Sequence, residues 1–339
     1  MNSIKSISIV GLEKNTGKTQ ALNFFIDYLR RKNICLGVTS IGIDGESTDQ
    51  VTLTQKPRIR VYKDMIFSTC EKFYREKNFV SEILNVGEDM SALGRTVTAR
   101  AKEDGMIILS GPSIMSWMKK NIDSMLQLGC EKVLVDGAIS RLSSSSPDVT
   151  DAMILSTGAA LTLDMNELVR QTKYKVDLAS LKPVDKLTSM ALATLGQGVW
   201  TIERESMYAK KLTDSPSLGF CASDIKRSTG IVYINGVVSS KVLKNLCSLD
   251  FLRDLQIVVT DFTKVFADHL TYEIFVKKAG ELKVLNPANL VAITVNPTSP
   301  SGYSFNSETL KNRLRHVISV PVIDVLKDGD IDAPFPGLD

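Results

Sequence analysis

The fold is decided by one stretch near the start of the chain, Ser6-Ile-Ser-Ile-Val-Gly-Leu-Glu-Lys-Asn-Thr-Gly-Lys-Thr19. A short apolar run ends in glycine, a polar loop follows, and Gly-Lys-Thr precedes apolar residues at helical spacing. This order predicts a strand, a loop and a helix, the arrangement that presents backbone N–H groups to an anion. In such a loop Lys18 reaches the terminal phosphates of a nucleotide, and the Thr19 hydroxyl holds Mg²⁺.

The spacing of the glycines departs from the usual phosphate-binding pattern. That pattern has its first glycine five residues before the second, where this chain has Leu12, and Gly11 lies one residue earlier. An ordinary strand-to-helix turn with a surface lysine is the alternative interpretation. The residues predicted to contact the nucleotide are Gly11, Glu13, Lys14, Asn15, Thr16, Gly17, Lys18, Thr19 and Gln20.

Two carboxylates follow later apolar runs. Asp44 comes after the run at 34–42, and Asp136 ends the run that begins at Lys132. A carboxylate at the carboxyl end of a strand beside the loop strand holds Mg²⁺ or polarises a nucleophile in many nucleotide enzymes. Lys18, Asp44 and Asp136 are therefore the predicted catalytic residues, and Thr19, Asp44 and Asp136 the predicted metal ligands. For Asp44 a simple Asp-Gly turn is an equal alternative.

Composition narrows the classes of function. With 43% hydrophobic and 23% charged residues among 339, the chain has the make-up of a globular protein of roughly two domains. A net charge of only +3 and 6% aromatic residues give no support for nucleic-acid binding. The five isolated cysteines indicate a reducing compartment. Since no signal peptide or membrane-length apolar run is evident, we predict a cytoplasmic protein that does not bind membranes.

Alternating strand and helix patterns predict an α/β fold, with a parallel sheet containing a P-loop, flanking helices and a second α/β domain. The predicted domains are 1–185 for nucleotide binding, an irregular junction at 186–228, and a second α/β domain at 229–339. Within the first domain, the segment from Ser91 to Lys102 is predicted to be helical and Met106–Ser110 to be a core strand.

The loop resembles that of one branch of P-loop ATPases, which includes dethiobiotin synthetase and the nitrogenase-iron-protein-like ATPases. The Gly-x5-Gly-Lys-Thr spacing is similar to that of the synthetase, and residues 14–19 also resemble the loop of molybdopterin-guanine-dinucleotide accessory proteins. Several ATPases of this branch carry a second lysine in the loop that reaches a partner. Lys14 lies one residue too close to Lys18 to match that pattern.

A further resemblance covers most of the first half of the chain. Residues 40–46 (SIGIDGE), 135–141 (VDGAISR) and 151–160 (DAMILSTGAA) resemble the KamB subunits of the lysine 5,6-aminomutase reactivase of anaerobic bacteria. The resemblance implies a subunit that binds ATP and Mg²⁺ and acts with a MutS-like ATPase partner. Together the two would restore aminomutase whose adenosylcobalamin is damaged, during lysine fermentation.

Two other functions remain open at this stage. The chain would be a small-molecule synthetase of the dethiobiotin-synthetase type if a substrate pocket lay beside the loop, for which Arg95 and Lys182 are the candidate residues. It would be a nucleotide-binding scaffold if it lent its surface to an ATPase partner without hydrolysing ATP itself. No Asn-Lys-x-Asp motif that reads the base is present, so ATP is favoured over GTP by resemblance alone.

Overall fold

The computed structural model describes residues 4–41, 58–112, 114–137, 147–206, 208–215, 220–328 and 335. The predicted site residue Asp44 lies outside these ranges. Contacts between Cα atoms divide the chain into two compact units, residues 1–169 together with 290–339, and residues 170–289.

The elements follow one another in three blocks along the chain, and α4, the last element of the first block, spans the boundary between the two units. The first block comprises β1 (Ser6–Gly11), α1 (Lys18–Arg31), β2 (Leu36–Ser40), β3 (Ile59–Val61), β4 (Ile66–Cys70), α2 (Glu71–Arg75), β5 (Ser81–Ser91), β6 (Gly94–Ala101), β7 (Gly105–Ile107), α3 (Met115–Gln127), β8 (Lys132–Asp136), β9 (Ala152–Gly158) and α4 (Met165–Ala179). The second comprises α5 (Lys186–Ala193), β10 (Gly198–Glu203), β11 (Ala209–Thr213), β12 (Thr229–Asn235), β13 (Val238–Ser239), α6 (Ser240–Leu246), β14 (Gln256–Val259), β15 (Val265–Phe266), α7 (His269–Lys277) and β16 (Leu282–Val284). The third comprises β17 (Leu290–Asn296), α8 (Ser307–Val317) and β18 (Val322–Ile323).

The first unit contains a nine-stranded sheet in the order β18-β17-β9-β1-β8-β2-β4-β6-β5. Neighbouring strands from β18 to β4 are parallel, whereas β6 is antiparallel to both β4 and β5. The chain adds β2 and β8 on one side of β1, then crosses to the other side for β9 and β17. This reversal at β1 is the topology in which α/β sheets bind ligands beyond the carboxyl ends of their strands.

Successive residues of a strand point to opposite faces of the sheet. Helices pack on both faces of this sheet. All six residues of β1 are buried, as expected for a central parallel strand. Ile7 and Ile9 share a core with the apolar side of α1, to which Leu134 also contributes. Its neighbours Val133 and Val135 pack in a separate core with α3.

Two predictions in this unit were wrong. The segment predicted as a helix, Ser91–Lys102, contains β6, in which Thr96, Val97 and Thr98 favour a strand and pair with β4. Within the predicted core strand Met106–Ser110 only the first two residues belong to a strand, which is β7. That strand pairs with β3 in a separate two-stranded sheet rather than entering the large one.

The second unit has a five-stranded sheet in the order β11-β10-β12-β14-β16. β12, β14 and β16 are parallel, and β10 is antiparallel to its two neighbours. The protein is therefore an α/β protein with a large, mostly parallel mixed sheet and a smaller mixed sheet. No helix within the described ranges combines the length and the apolarity needed to cross a membrane.

The observed units and the sequence-based domains divide the chain differently. Residues predicted as an irregular junction form α5, β10 and β11, which belong to the second unit. Residues 290–339, assigned from sequence to the second domain, belong to the first unit, because β17 pairs with β9.

Candidate functional site

The candidate site lies at the carboxyl ends of the central parallel strands. β1 leads into the loop at residues 12–17, and its neighbour β8 ends in Asp136. The register pairs Ile9 with Asp136, so the carboxylate lies at the same edge of the sheet as the loop. On the other side of β1, β9 ends in Gly158 and β17 in Asn296.

The loop contains two residues in left-handed conformations. Asn15 has φ 61° and Gly17 has φ 89°, and Gly17 is the residue that caps α1. Between them Thr16 is only 1% exposed, and its hydroxyl donates to the carbonyl of Glu13 at 2.8 Å. The loop is tied to β9 at its start, because the Leu12 N–H donates to the Ser156 carbonyl at 2.9 Å. The path of the backbone is thus fixed by contacts at several points.

Gly11 explains the unusual glycine spacing. A Cβ atom at this position would lie 2.5 Å from Thr16 Oγ1 and 2.9 Å from Lys18 Cγ. The Lys18 side chain therefore passes directly over the residue that ends β1. The position that needs a glycine is where the lysine crosses the backbone, and in this loop that position is 11 rather than 12.

Lys18 and Asp136, which the sequence predicted to act together, do lie close together. The Lys18 ammonium donates to the carbonyl of Gly137 at 2.6 Å and lies 4.0 Å from Asp136 Oδ1. Both side chains are about one-fifth exposed, at 20% and 22%. A cation and a carboxylate are therefore held side by side at the mouth of the loop, partly screened from water.

Glu13 already places an anionic oxygen on one N–H group of the loop. Its Oε1 accepts the backbone N–H of Lys14 at 3.0 Å, and both side chains are exposed. The Lys14 N–H thus points to a position that an anionic oxygen can occupy, as a phosphate oxygen would.

The remaining predicted residues lie in the first turn of α1. Thr19 is half-buried and Gln20 is exposed. A narrow crevice runs along this turn and the end of β17; its lining includes Gly17, Gln20, Asn296 and Leu326. The oxygen atoms of Thr19 and Asp136 are of the hard type that Mg²⁺ prefers, so these residues fit a magnesium site completed by phosphate oxygens.

Asn296 is a residue of this site that sequence reasoning missed. Its side-chain N–H donates to the Asn15 carbonyl at 3.1 Å, although 281 residues separate the two. The signal in the sequence was an apolar run ending in Asn-Pro, which is where a parallel strand delivers a side chain to the sheet edge. That signal was assigned to the second domain and hence away from the loop.

The sequence candidate Arg95 is not brought to the loop. Arg95 lies on β6, four strand spacings from β1, or about 19 Å at about 4.8 Å each. Lys182 belongs to the second unit. Within the described parts of the chain no three or more His, Cys, Asp or Glu side chains are grouped so that they could hold a metal ion.

Comparison of the chain with protein-family models, with curated proteins and with solved structures gave no match.

Proposed function

We propose that the protein binds ATP with Mg²⁺ at the loop between β1 and α1. The single observation that carries the proposal is the placement of Lys18, which folds back over Gly11 and ends 4.0 Å from Asp136. An ordinary strand-to-helix turn with a surface lysine requires neither the tight contact at Gly11 nor a carboxylate from the adjacent strand.

Each residue then has a defined part. Backbone N–H groups of the loop and the first turn of α1 bind phosphate oxygens, and the Lys18 ammonium neutralises the terminal phosphates. Thr19 and Asp136 hold the magnesium ion. When bound, this ion offsets the charge that develops on the phosphate oxygens as the terminal phosphoryl group is transferred.

The wider proposal is that this site belongs to the ATP-binding subunit of a reactivating chaperone. The resemblance to KamB supports it, and the predicted partners are a MutS-like ATPase subunit and lysine 5,6-aminomutase. ATP would act by shifting the population of a conformation that opens the damaged enzyme and releases its spent cobalamin. The synthetase alternative gains no support from Arg95, which lies on a distant strand of the sheet.

Binding is tested by titrating the protein with ATP and Mg²⁺ in a calorimeter. We expect Lys18→Ala to abolish tight binding, since it removes the cation that faces the most charged phosphates. Lys63→Ala, at an exposed turn between β3 and β4, is the matched control and should bind as the wild type does. Equal affinity in the wild type and in Lys18→Ala would refute the proposed site.

The chaperone role requires a second measurement. ATP turnover is followed for the isolated protein, and then with damaged aminomutase and the MutS-like subunit. A slow basal rate that rises only with the protein partners supports the chaperone. A rate that depends on a small metabolite instead would favour the synthetase, and binding without turnover under any condition would favour the scaffold.

A further inference from the structure

The side-chain amide of Asn296 connects the end of β17 to the loop, with its oxygen and nitrogen each bound to a different partner. Its Oδ1 accepts the N–H of Thr298 at 3.1 Å, and its Nδ2 donates to the Asn15 carbonyl at 3.1 Å. The first bond fixes which end of the amide is oxygen, so the N–H end faces the loop. The side chain is therefore held in one orientation from its own strand.

The fit between Asn296 and the loop is close. A Cβ atom at Gly17 would lie 3.0 Å from Asn296 Cβ, and one at Gly158 would lie 2.1 Å from the Asn296 carbonyl oxygen. That carbonyl also accepts the N–H of Ala159 at 2.9 Å. Glycines at 17 and 158 thus let Asn296 approach the loop and the end of β9.

The bond to Asn15 sets the direction of one peptide plane. In a trans peptide the C=O and the following N–H point in opposite directions. When Asn296 holds the Asn15 carbonyl, the Thr16 N–H must point away from Asn296. The peptide plane two units earlier is set in a similar way, because the Glu13 carbonyl accepts the Thr16 hydroxyl and the Lys14 N–H donates to a carboxylate oxygen.

We propose that Asn296 is a positioning residue of the phosphate site, which directs the Thr16 N–H toward a bound phosphate by holding the Asn15 carbonyl. This inference rests on the proposed function and adds a residue to it. Asn296 does not touch the phosphate; it acts through the loop backbone. It also makes β17 part of the site.

The test compares two changes at Asn296 with one control. Asn296→Asp keeps the shape and the acceptor but loses the donor, and Asn296→Ala removes the donor without adding charge. Asn306→Asp is the control, because Asn306 caps α8 with its oxygen alone, accepting the Thr309 N–H at 2.9 Å. The exchange of Asn306 for Asp keeps the oxygen that accepts the Thr309 N–H, so this hydrogen bond is retained.

Three quantities are measured for each protein: the Kd for a non-hydrolysable ATP analogue with Mg²⁺, the melting temperature without nucleotide, and the Thr16 amide resonance. We expect both Asn296 variants to bind about tenfold more weakly, the value of one lost hydrogen bond to the loop. The change in the Thr16 resonance on binding should shrink in both. The control should match the wild type in all three quantities.

A purely structural role for Asn296 predicts a different result. The melting temperature would fall, while the Thr16 resonance of the bound protein would remain that of the wild type, which overturns the inference. Wild-type affinity in either Asn296 variant also overturns it. Failure of the wild-type protein itself to bind the analogue removes the proposed function, so the two failures are distinguished.

Discussion

Gly11 illustrates how a single residue sets the path of the loop. Lys18 and Thr16 both pack against its backbone, at distances that leave no room for a Cβ atom. Leu12, at the position where the usual pattern has its glycine, carries a half-buried side chain. The Gly-Lys-Thr part of the pattern could be predicted from sequence, and so could its proximity to Asp136. The reason for the shifted glycine could not be predicted, because it depends on where the Lys18 side chain crosses the backbone.

Gly11→Ala should therefore affect both stability and binding. The added methyl group would force Thr16 or Lys18 to move, and overpacking of this kind costs about 1–3 kcal/mol of unfolding free energy. We expect a lower melting temperature and weaker ATP binding. Gly196→Ala is the control, since a Cβ atom there meets nothing within 4 Å. Unchanged affinity and stability in Gly11→Ala would contradict the described path of Lys18.

Asp136→Asn separates binding from hydrolysis. The amide keeps the shape of the carboxylate but loses the charge that would hold Mg²⁺ at the proposed site, so turnover should fall by about two to three orders of magnitude with weaker nucleotide binding. The exchange Asp123→Asn, at an exposed position of α3, serves as the control. If the ATPase rate of Asp136→Asn equals that of the wild type, Asp136 is only the last residue of a strand.

The elements show where sequence patterns were sufficient and where they were not. α1 was predicted from its apolar spacing, and the structure buries that side of the helix against the sheet. The helix predicted for Ser91–Lys102 was wrong, because most of that segment is β6. The conformation of β6 is determined by its pairing with β4 and β5, and the local sequence alone does not reveal such pairing.

Helix α7 allows a prediction about pH at the level of an element. Asp268 caps this helix, accepting the Ser240 hydroxyl at 2.6 Å and the Thr271 N–H at 2.8 Å. These bonds favour the charged carboxylate, with that of Ser240 the largest effect, and hold the pKa of Asp268 well below its usual range. Stability from this group is therefore present above the unfolded pKa of about 4 and lost as the pH falls toward the folded pKa.

Asp268→Ala should lower the unfolding free energy at pH 7 by about 1 kcal/mol, the usual value of a helix cap. The difference from the wild type should shrink as the pH falls below about 4. Asp250→Ala is the control, because the ion pair of Asp250 with Arg227 is 70% and 71% exposed, and such pairs contribute little. Denaturant unfolding at several pH values measures both. A difference for Asp268→Ala that is the same at pH 3 and pH 7 would contradict this account.

At the scale of the whole molecule, sequence predicted two α/β parts but not the way the chain is shared between them. Strand order cannot be read from alternation alone, since a strand at 290–296 continues the pattern of the second unit equally well. The deciding contacts are those of β17 with β9, over 130 residues apart in sequence. For the same reason Asn296 was not connected with the loop.

Shortened chains test how the chain is divided between the two units. Residues 170–289 form a continuous segment with their own sheet and core, so this fragment should unfold cooperatively on its own. A chain that stops at 289 lacks β17 and β18, leaving the apolar edge of β9 without its partner. We expect that chain to lose its cooperative transition for the first unit and to aggregate. Thermal unfolding of both proteins is the measurement. A normal first-unit transition in the chain that stops at residue 289 would contradict this expectation.

The return of the chain to its first sheet has a consequence for biosynthesis. The ribosome releases β1 and the loop first, and β17, whose Asn296 supports the loop, emerges only after the whole of residues 170–289. At roughly 5–20 residues per second, the nascent loop waits on the order of 15 s or more for Asn296. The segment at 170–289 has a complete sheet before that moment. The second unit can thus fold while the first is still unfinished, and the proposed nucleotide site is complete only once β17 has paired with β9.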